Sequence, residues 1–164
     1  MRSGTRILLA GSLLLALPAC AQTGKSRPDV EAMFPNACYS GIDPGEDVCL
    51  KDGRSAGPPG VELGPQRATG DLDGDGAPET ALLLTRAPKS PDQQVYLVIA
   101  AWRGDRIATL ATAPLGSSVR VSSFQILDGQ VRIEGQRSAS ARTAMMPVSL
   151  AYTLKGGKLL EGKP

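Results

Sequence analysis

Hydrophobic and polar positions follow a strand rhythm through most of residues 80–160. Residues 80–86, 94–103 and 106–113 are apolar and β-prone, and 119–127, 130–136, 148–154 and 158–160 continue the series. Gly104-Asp105, Asp128-Gly129 and Gly156-Gly157 punctuate it as two-residue hairpin turns. Val131 and Ile133 alternate with Gln130, Arg132 and Glu134, which puts one sheet face on a core and the other in water. Val119 and Val121 are in phase, but Phe124 and Ile126 are shifted by one, and a bulge at Ser122-Ser123 restores the register. Residues 95–102 are apolar at nearly every position, as in a central strand covered on both faces. The pattern predicts an all-β fold: an antiparallel meander of about seven strands, barrel-like or a sandwich. With 2 Phe, 3 Tyr and 1 Trp in the chain, its core is built mostly from Leu, Val, Ile and Ala.

The stretch before residue 70 has no such rhythm. Ser26 and Asp29 have capping-box spacing, and Val30, Met33 and Phe34 give one side of a short helix ended by Pro35. Residues 53–65 hold four glycines and three prolines, which reads as loop with at most a brief strand at 61–63. The expected organisation is one domain over 28–164, with a loop-rich part at 28–69 and a strand-rich part at 70–164.

The first twenty residues are of another kind. Arg2 and Arg6 precede an apolar run over 7–17 that is too short to span a bilayer, which needs roughly twenty residues. Leu17-Pro18-Ala19-Cys20 closes the run as an export signal with a cleavage site does. The tetrapeptide resembles the lipobox of bacterial lipoproteins. That resemblance implies a signal peptide at 1–19, a lipidated Cys20 and a tether over 20–27; the alternatives are an ordinary signal peptide with a chance cysteine at its end, or an uncleaved anchor. It implies a membrane partner reached through lipid on Cys20. Ala21 and Gln22 follow, without the Asp that retains many such proteins in the inner membrane of enteric bacteria. The expected site is the cell envelope, at the outer membrane, facing the periplasm or the surface. Stable anchoring needs more than one acyl chain, which the family's modification supplies.

Export changes the reading of charge and cysteines. Loss of Arg2 and Arg6 takes the 18 Lys and Arg to 16, level with the 16 Asp and Glu. A neutral chain has no nucleic-acid footprint and no polybasic membrane patch. Residues 20–116 are net −4 and 117–164 net +4, an asymmetry fit to join the two halves or steer a partner, or simply solvated. Cys38 and Cys49 are the two cysteines beyond Cys20, and an even pair in an oxidising compartment reads as a disulfide, with free thiols the alternative. Closing that loop contributes roughly 3 kcal/mol in the chain-entropy model.

One segment carries chemistry. Asp71, Asp73 and Asp75 alternate through Asp71-Leu72-Asp73-Gly74-Asp75-Gly76-Ala77-Pro78-Glu79. Such carboxylates repel unless a cation relieves them, and calcium takes six to eight oxygen ligands in loose geometry. The expected ligands are Asp71, Asp73 and Asp75, the Ala77 carbonyl, and Glu79 to close the site. The alternative is an Asp/Gly-rich turn that binds nothing. An EF-hand needs a bidentate Glu at the twelfth position, which is Leu82 here. The loop resembles instead the calcium loops of integrin-type propeller (FG-GAP) repeats, which also run into an apolar strand. A propeller repeats the loop in each blade and this chain has it once, so the resemblance implies the ion and not the fold. Residues 70–160 also resemble a group of bacterial secreted proteins and lipoproteins without an established activity. The resemblance rests on the same loop, Leu115-Gly116-Ser117-Ser118-Val119-Arg120-Val121, Asp128-Gly129-Gln130-Val131, and residues 152–159. Members often carry Cys-Cys-Pro where this chain has Met145-Met146-Pro147.

The catalytic inventory is thin. Without histidine there is no Ser-His-Asp triad, Cys-His pair or zincin site. Ser-x-x-Lys is absent, and Gly53-Arg54-Ser55-Ala56-Gly57 spells Gly-x-Ser-x-Gly in a chain with no histidine to activate the serine. Residues 157–163 spell Gly-x4-Gly-Lys, but Pro164 follows where a phosphate-binding helix would have to start. Arg103-Gly104-Asp105 spells an integrin-ligand tripeptide at a place where a turn is required. The expectation is a non-enzymatic, structural or partner-binding protein with an envelope protein as partner. One alternative is a periplasmic inhibitor or small-ligand module using a loop such as 137–143. The other is a carboxylate hydrolase drawing on Glu46, Asp47, Glu62 and Glu134.

Overall fold

The computed structural model describes residues 29–91, 93–138 and 143–162. The leader, Cys20 and the tether lie outside them, as do four residues of the 137–143 loop. The fold is all-β, as the pattern predicts. Strands β1 (Cys38–Asp43), β2 (Glu46–Lys51), β3 (Arg54–Ser55), β4 (Val61–Gly70), β5 (Glu79–Arg86), β6 (Gln94–Arg103) and β7 (Arg106–Gly116) form one antiparallel meander. This seven-stranded sheet curls into a nearly closed barrel. A second sheet of β8 (Ser118–Leu127), β9 (Gln130–Ser138), β10 (Met146–Lys155) and β11 (Lys158–Gly162) is also a meander.

Each sheet face has its own core. Phe34, Tyr39, Val61, Leu82, Leu84 and Val98 fill the barrel, each at most 2% exposed. The opposite face of β5 and β6 turns Ala81, Leu83, Leu97 and Ile99 toward Val131, Ile133, Leu150 and Tyr152 of the second sheet. Successive strand residues point to opposite faces, so β5 and β6 are buried on both. That is why residues 95–102 lack polar alternation. Each such Leu or Ile contributes roughly 1.5–3 kcal/mol by leaving water.

The three expected hairpin turns are present, with Arg103↔Arg106, Leu127↔Gln130 and Lys155↔Lys158 as flanking pairs. The β8–β9 register shifts between Val121 and Ser123, where the phase change predicts a bulge. Gly135 lies opposite. A Cβ there would stand 2.0 Å from the Arg120 carbonyl oxygen, so only glycine lets the two backbones approach.

Residues 38–70 depart from the expectation of loop. They form β1 to β4, and β4 runs for ten residues rather than three. Pro44-Gly45 and Asp52-Gly53 are hairpin turns, closed by Asp43↔Glu46 and Lys51↔Arg54. Pro65 is accommodated because the β4–β5 ladder shifts register between Leu63 and Arg67. The short helix is a 3-10 helix at Glu31–Asn36 that contains Pro35. Val30 is its N-cap, without a side-chain cap bond, and Asp29 precedes the helix instead of sitting in its first turn; Ser26 lies outside the described residues. Its Phe34 plugs the barrel, and the Tyr39 hydroxyl donates to the Phe34 carbonyl at 2.7 Å.

The barrel seam is closed by side chains. The Thr109 hydroxyl accepts the Ser40 N–H at 3.2 Å, and the Thr112 hydroxyl donates to the Ser40 carbonyl at 2.9 Å. Cys38 and Cys49 sit directly opposite on β1 and β2 and are joined as a disulfide. Among the described residues, no helix is long and apolar enough to cross a membrane.

Candidate metal centre

The acidic segment is the connection between β4 and β5. Gly70 pairs with Glu79, and the Thr69 and Thr80 hydroxyls meet at 3.1 Å just inside, so the ladder fixes both ends. Gly70 also lets the second sheet approach, since a Cβ there would stand 2.7 Å from Ile126 Cγ2. Leu72 drops into the core between the sheets, 4% exposed. Its burial pins the middle of an otherwise exposed loop.

The carboxylates organise the turn. Asp71 Oδ1 accepts the Gly74 N–H at 2.7 Å and its Oδ2 the Gly76 N–H at 3.0 Å. Asp73 Oδ1 accepts from Asp75 N–H at 3.1 Å, and Asp75 Oδ1 from Ala77 N–H at 2.7 Å. Gly74 and Gly76 have φ near +80°, a conformation other residues adopt only with strain. A carboxylate offers about four lone-pair sites. These bonds therefore shape the loop and leave acceptor capacity for a cation.

Glu79 is the informative member. It is wholly buried. Oε2 accepts the Leu72 N–H at 2.9 Å, while Oε1 has no hydrogen-bond partner among the described residues. Carboxylate oxygens of Asp71, Asp73 and Glu79 lie within 4.8 Å of one another. Burial pushes the Glu79 pKa up. The Leu72 N–H works against that, and the charges of Asp73, Asp75 and Asp71 add to it. A carboxylate in this position is disfavoured by burial and by its neighbours, and a cation reverses both effects.

The donor set is entirely oxygen. Zinc and copper favour nitrogen and sulfur, which a chain without histidine and with Cys38 and Cys49 bridged does not offer here. Calcium suits a loop of carboxylates and carbonyls, whereas magnesium wants a smaller, stricter octahedron. The residues present therefore fit calcium.

The structure brings three of the expected ligands together, Asp71, Asp73 and Glu79. Asp75 is outside the convergent group, and its Oδ2 lies 3.8 Å from the Arg103 guanidinium. Ala77 is half-buried and its N–H is held by Asp75. Arg103 was invisible to spacing arguments, because only the fold carries the end of β6 to the loop. Beside that contact lies a cavity of about 180 Å³, lined in part by Phe34, Pro78, Thr80, Trp102 and Arg103.

The other candidate carboxylates are dispersed. Glu46 and Asp47 are exposed on β2, and Glu62 on β4 pairs with Arg54 at 3.2 Å. Glu134 is in the second sheet. Gly104-Asp105 of the Arg-Gly-Asp tripeptide forms the β6–β7 turn. No protein-family model, no curated protein and no solved structure matches this chain.

Proposed function

We propose that this protein is a non-catalytic, lipid-anchored β-domain of the cell envelope, held by a calcium ion at the 71–79 loop and by the Cys38–Cys49 disulfide. Its role is structural or partner-binding. The observation that carries the calcium reading is Glu79, a fully buried carboxylate with one oxygen unpartnered among the described residues, beside Asp71 and Asp73. Asp71, Asp73 and Glu79 hold the ion, and Asp75 and the Ala77 carbonyl stand next in line. The ion supplies charge neutralisation and a cross-link between the loop and β5. The lipid anchor rests on Leu17-Pro18-Ala19-Cys20, and the disulfide agrees with an oxidising compartment. Cys20 carries the domain to the membrane surface, and the partner is an envelope protein.

The small-ligand alternative has one observation in its favour, the cavity between Phe34 and Trp102. It is open enough for a fragment-sized molecule only, which ranks it second.

Two measurements test the proposal. Thermal melts in calcium, in chelator and in magnesium should show stabilisation by calcium alone. Carboxylate loops of extracellular modules bind with affinities of roughly 0.1–1 mM, and calcium at about twenty times the dissociation constant adds roughly 1.8 kcal/mol. Labelled fatty acid should enter the wild type, and Cys20→Ala should accumulate as unlabelled precursor. Equal melting in all three solutions refutes the calcium site. An unlabelled wild type, with Cys20→Ala released as a cleaved soluble protein, refutes the anchor.

A further inference from the structure

Arg103 ends β6, and its guanidinium stands 3.8 Å from Asp75 Oδ2, with both side chains a little under half exposed. Among the described residues it is the ion-pair partner of the loop. Asp75 thus faces two ways. Oδ1 accepts the Ala77 N–H and Oδ2 faces Arg103, while Asp71, Asp73 and Glu79 converge without it. Three carboxylates leave a six- to eight-coordinate cation short of ligands. The nearest further carboxylate in the loop is the one Arg103 engages.

We propose that Arg103 is a built-in competitor for the metal. It draws Asp75 away from the ligand set, and calcium affinity is set by how readily that pair is given up. This inference rests on the loop being a calcium site. It differs from a general charge effect in one respect: the influence of Arg103 passes through Asp75. Its neighbour Trp102 is the single tryptophan of the chain, and with Arg103 and Pro78 it lines the same cavity. A rearrangement of Arg103 is therefore reported by Trp102 fluorescence.

The test is calorimetric titration of calcium into detergent-solubilised full-length protein, with Trp102 emission recorded in parallel. Arg103→Gln should bind calcium about three- to five-fold more tightly, the scale of an exposed charge pair. The gain should shrink as salt rises from about 0.05 to 0.5 M. Arg103→Lys, which keeps the charge, should stay near wild type. Asp75→Asn should weaken binding, and Arg103→Gln should change nothing in that background. Calcium should shift the emission of Trp102 in the wild type. The proposal is overturned if Arg103→Gln binds as the wild type does, if it tightens binding equally beside Asp75→Asn, or if Asp75→Asn leaves affinity unchanged. Those results spare the calcium site itself. Absence of calcium binding by both wild type and Arg103→Gln up to about 10 mM, ten times the weak end of the expected range, removes both.

Discussion

Replacing Glu79 by Gln should have opposite consequences with and without calcium. The substitution is nearly isosteric, and the amide oxygen still accepts the Leu72 N–H that now reaches Oε2 at 2.9 Å. The new NH2 takes the place of Oε1, which has no hydrogen-bond partner among the described residues, and can donate to the Asp71 or Asp73 carboxylates gathered around it. In chelator the variant loses a buried charge that three neighbouring carboxylates disfavour. Relief of one buried, half-satisfied carboxylate should stabilise by roughly 1–2 kcal/mol. One kcal/mol moves the melting temperature of a domain this size by about 3–4 °C. The variant should therefore melt about 3–8 °C above wild type in chelator. In calcium it should gain almost nothing, while wild type gains roughly 1.8 kcal/mol at twenty times its dissociation constant. Differential scanning calorimetry at pH 8 reads both effects, and the gap between the proteins should close as calcium rises. If Glu79→Gln instead melts below wild type by the same amount in chelator and in calcium, Glu79 is an ordinary buried acceptor and the metal reasoning fails.

Two further outcomes follow from other parts of the molecule. Gly135→Ala should break the β8–β9 bulge, because its Cβ would overlap the Arg120 carbonyl; the expected loss is roughly 2–4 kcal/mol by urea denaturation, and a change under about 0.5 kcal/mol would contradict the assigned register. Burial, aided by the charge of Glu161 and its hydrogen bond, pushes the Tyr152 pKa up to about 12, with Arg137 acting the other way. The folded form thus keeps its proton longer than the unfolded chain. Stability is full below pH 10 and falls as pH approaches 12. Tyr152→Phe should flatten that alkaline limb in part, since burial also raises the pKa of Tyr39; an unchanged limb would refute the assignment.

In the second sheet β8 and β9 were legible in the sequence because each has one wetter face. Alternation at 130–134 and the phase slip at Ser122-Ser123 encode face and bulge directly. Strand β6 was legible for the opposite reason, since burial on both sides leaves an unbroken apolar run. The first four strands were obscured by composition. Asp52-Gly53 carries the same hairpin signal as Asp128-Gly129, and the two turns share positive φ at both positions. The glycines and prolines around Asp52 made that signal look like loop. The side chains that seal the barrel come from Ser40, Thr109 and Thr112, some seventy residues apart in sequence. Local pattern holds no trace of such a closure. The same limit applies at the loop. Its own carboxylates were found from spacing, whereas the burial of Glu79 and the approach of Arg103 depend on how β5 and β6 are stacked.

The position of the loop determines how far a bound cation can be felt. Glu79 is the first residue of β5, and β5 carries Leu82 and Leu84 into the barrel and Ala81 and Leu83 into the core between the sheets. Leu72, held to Glu79 through its N–H, packs into that second core. A cation bound by Asp71, Asp73 and Glu79 therefore ties an exposed turn to both cores through two adjacent anchors. Were the loop joined only by its ends, calcium would order the turn and leave the global melt unchanged. With Leu72 and Glu79 as the anchors, losing the ion strains the start of a strand on which both cores depend. Calcium stabilisation should accordingly appear in the cooperative unfolding transition. Hydrogen exchange should show it at the amides of Leu82 and Val98 as well as at those of Gly74 and Gly76. Protection confined to the two loop glycines would mean that the anchors do not carry the coupling.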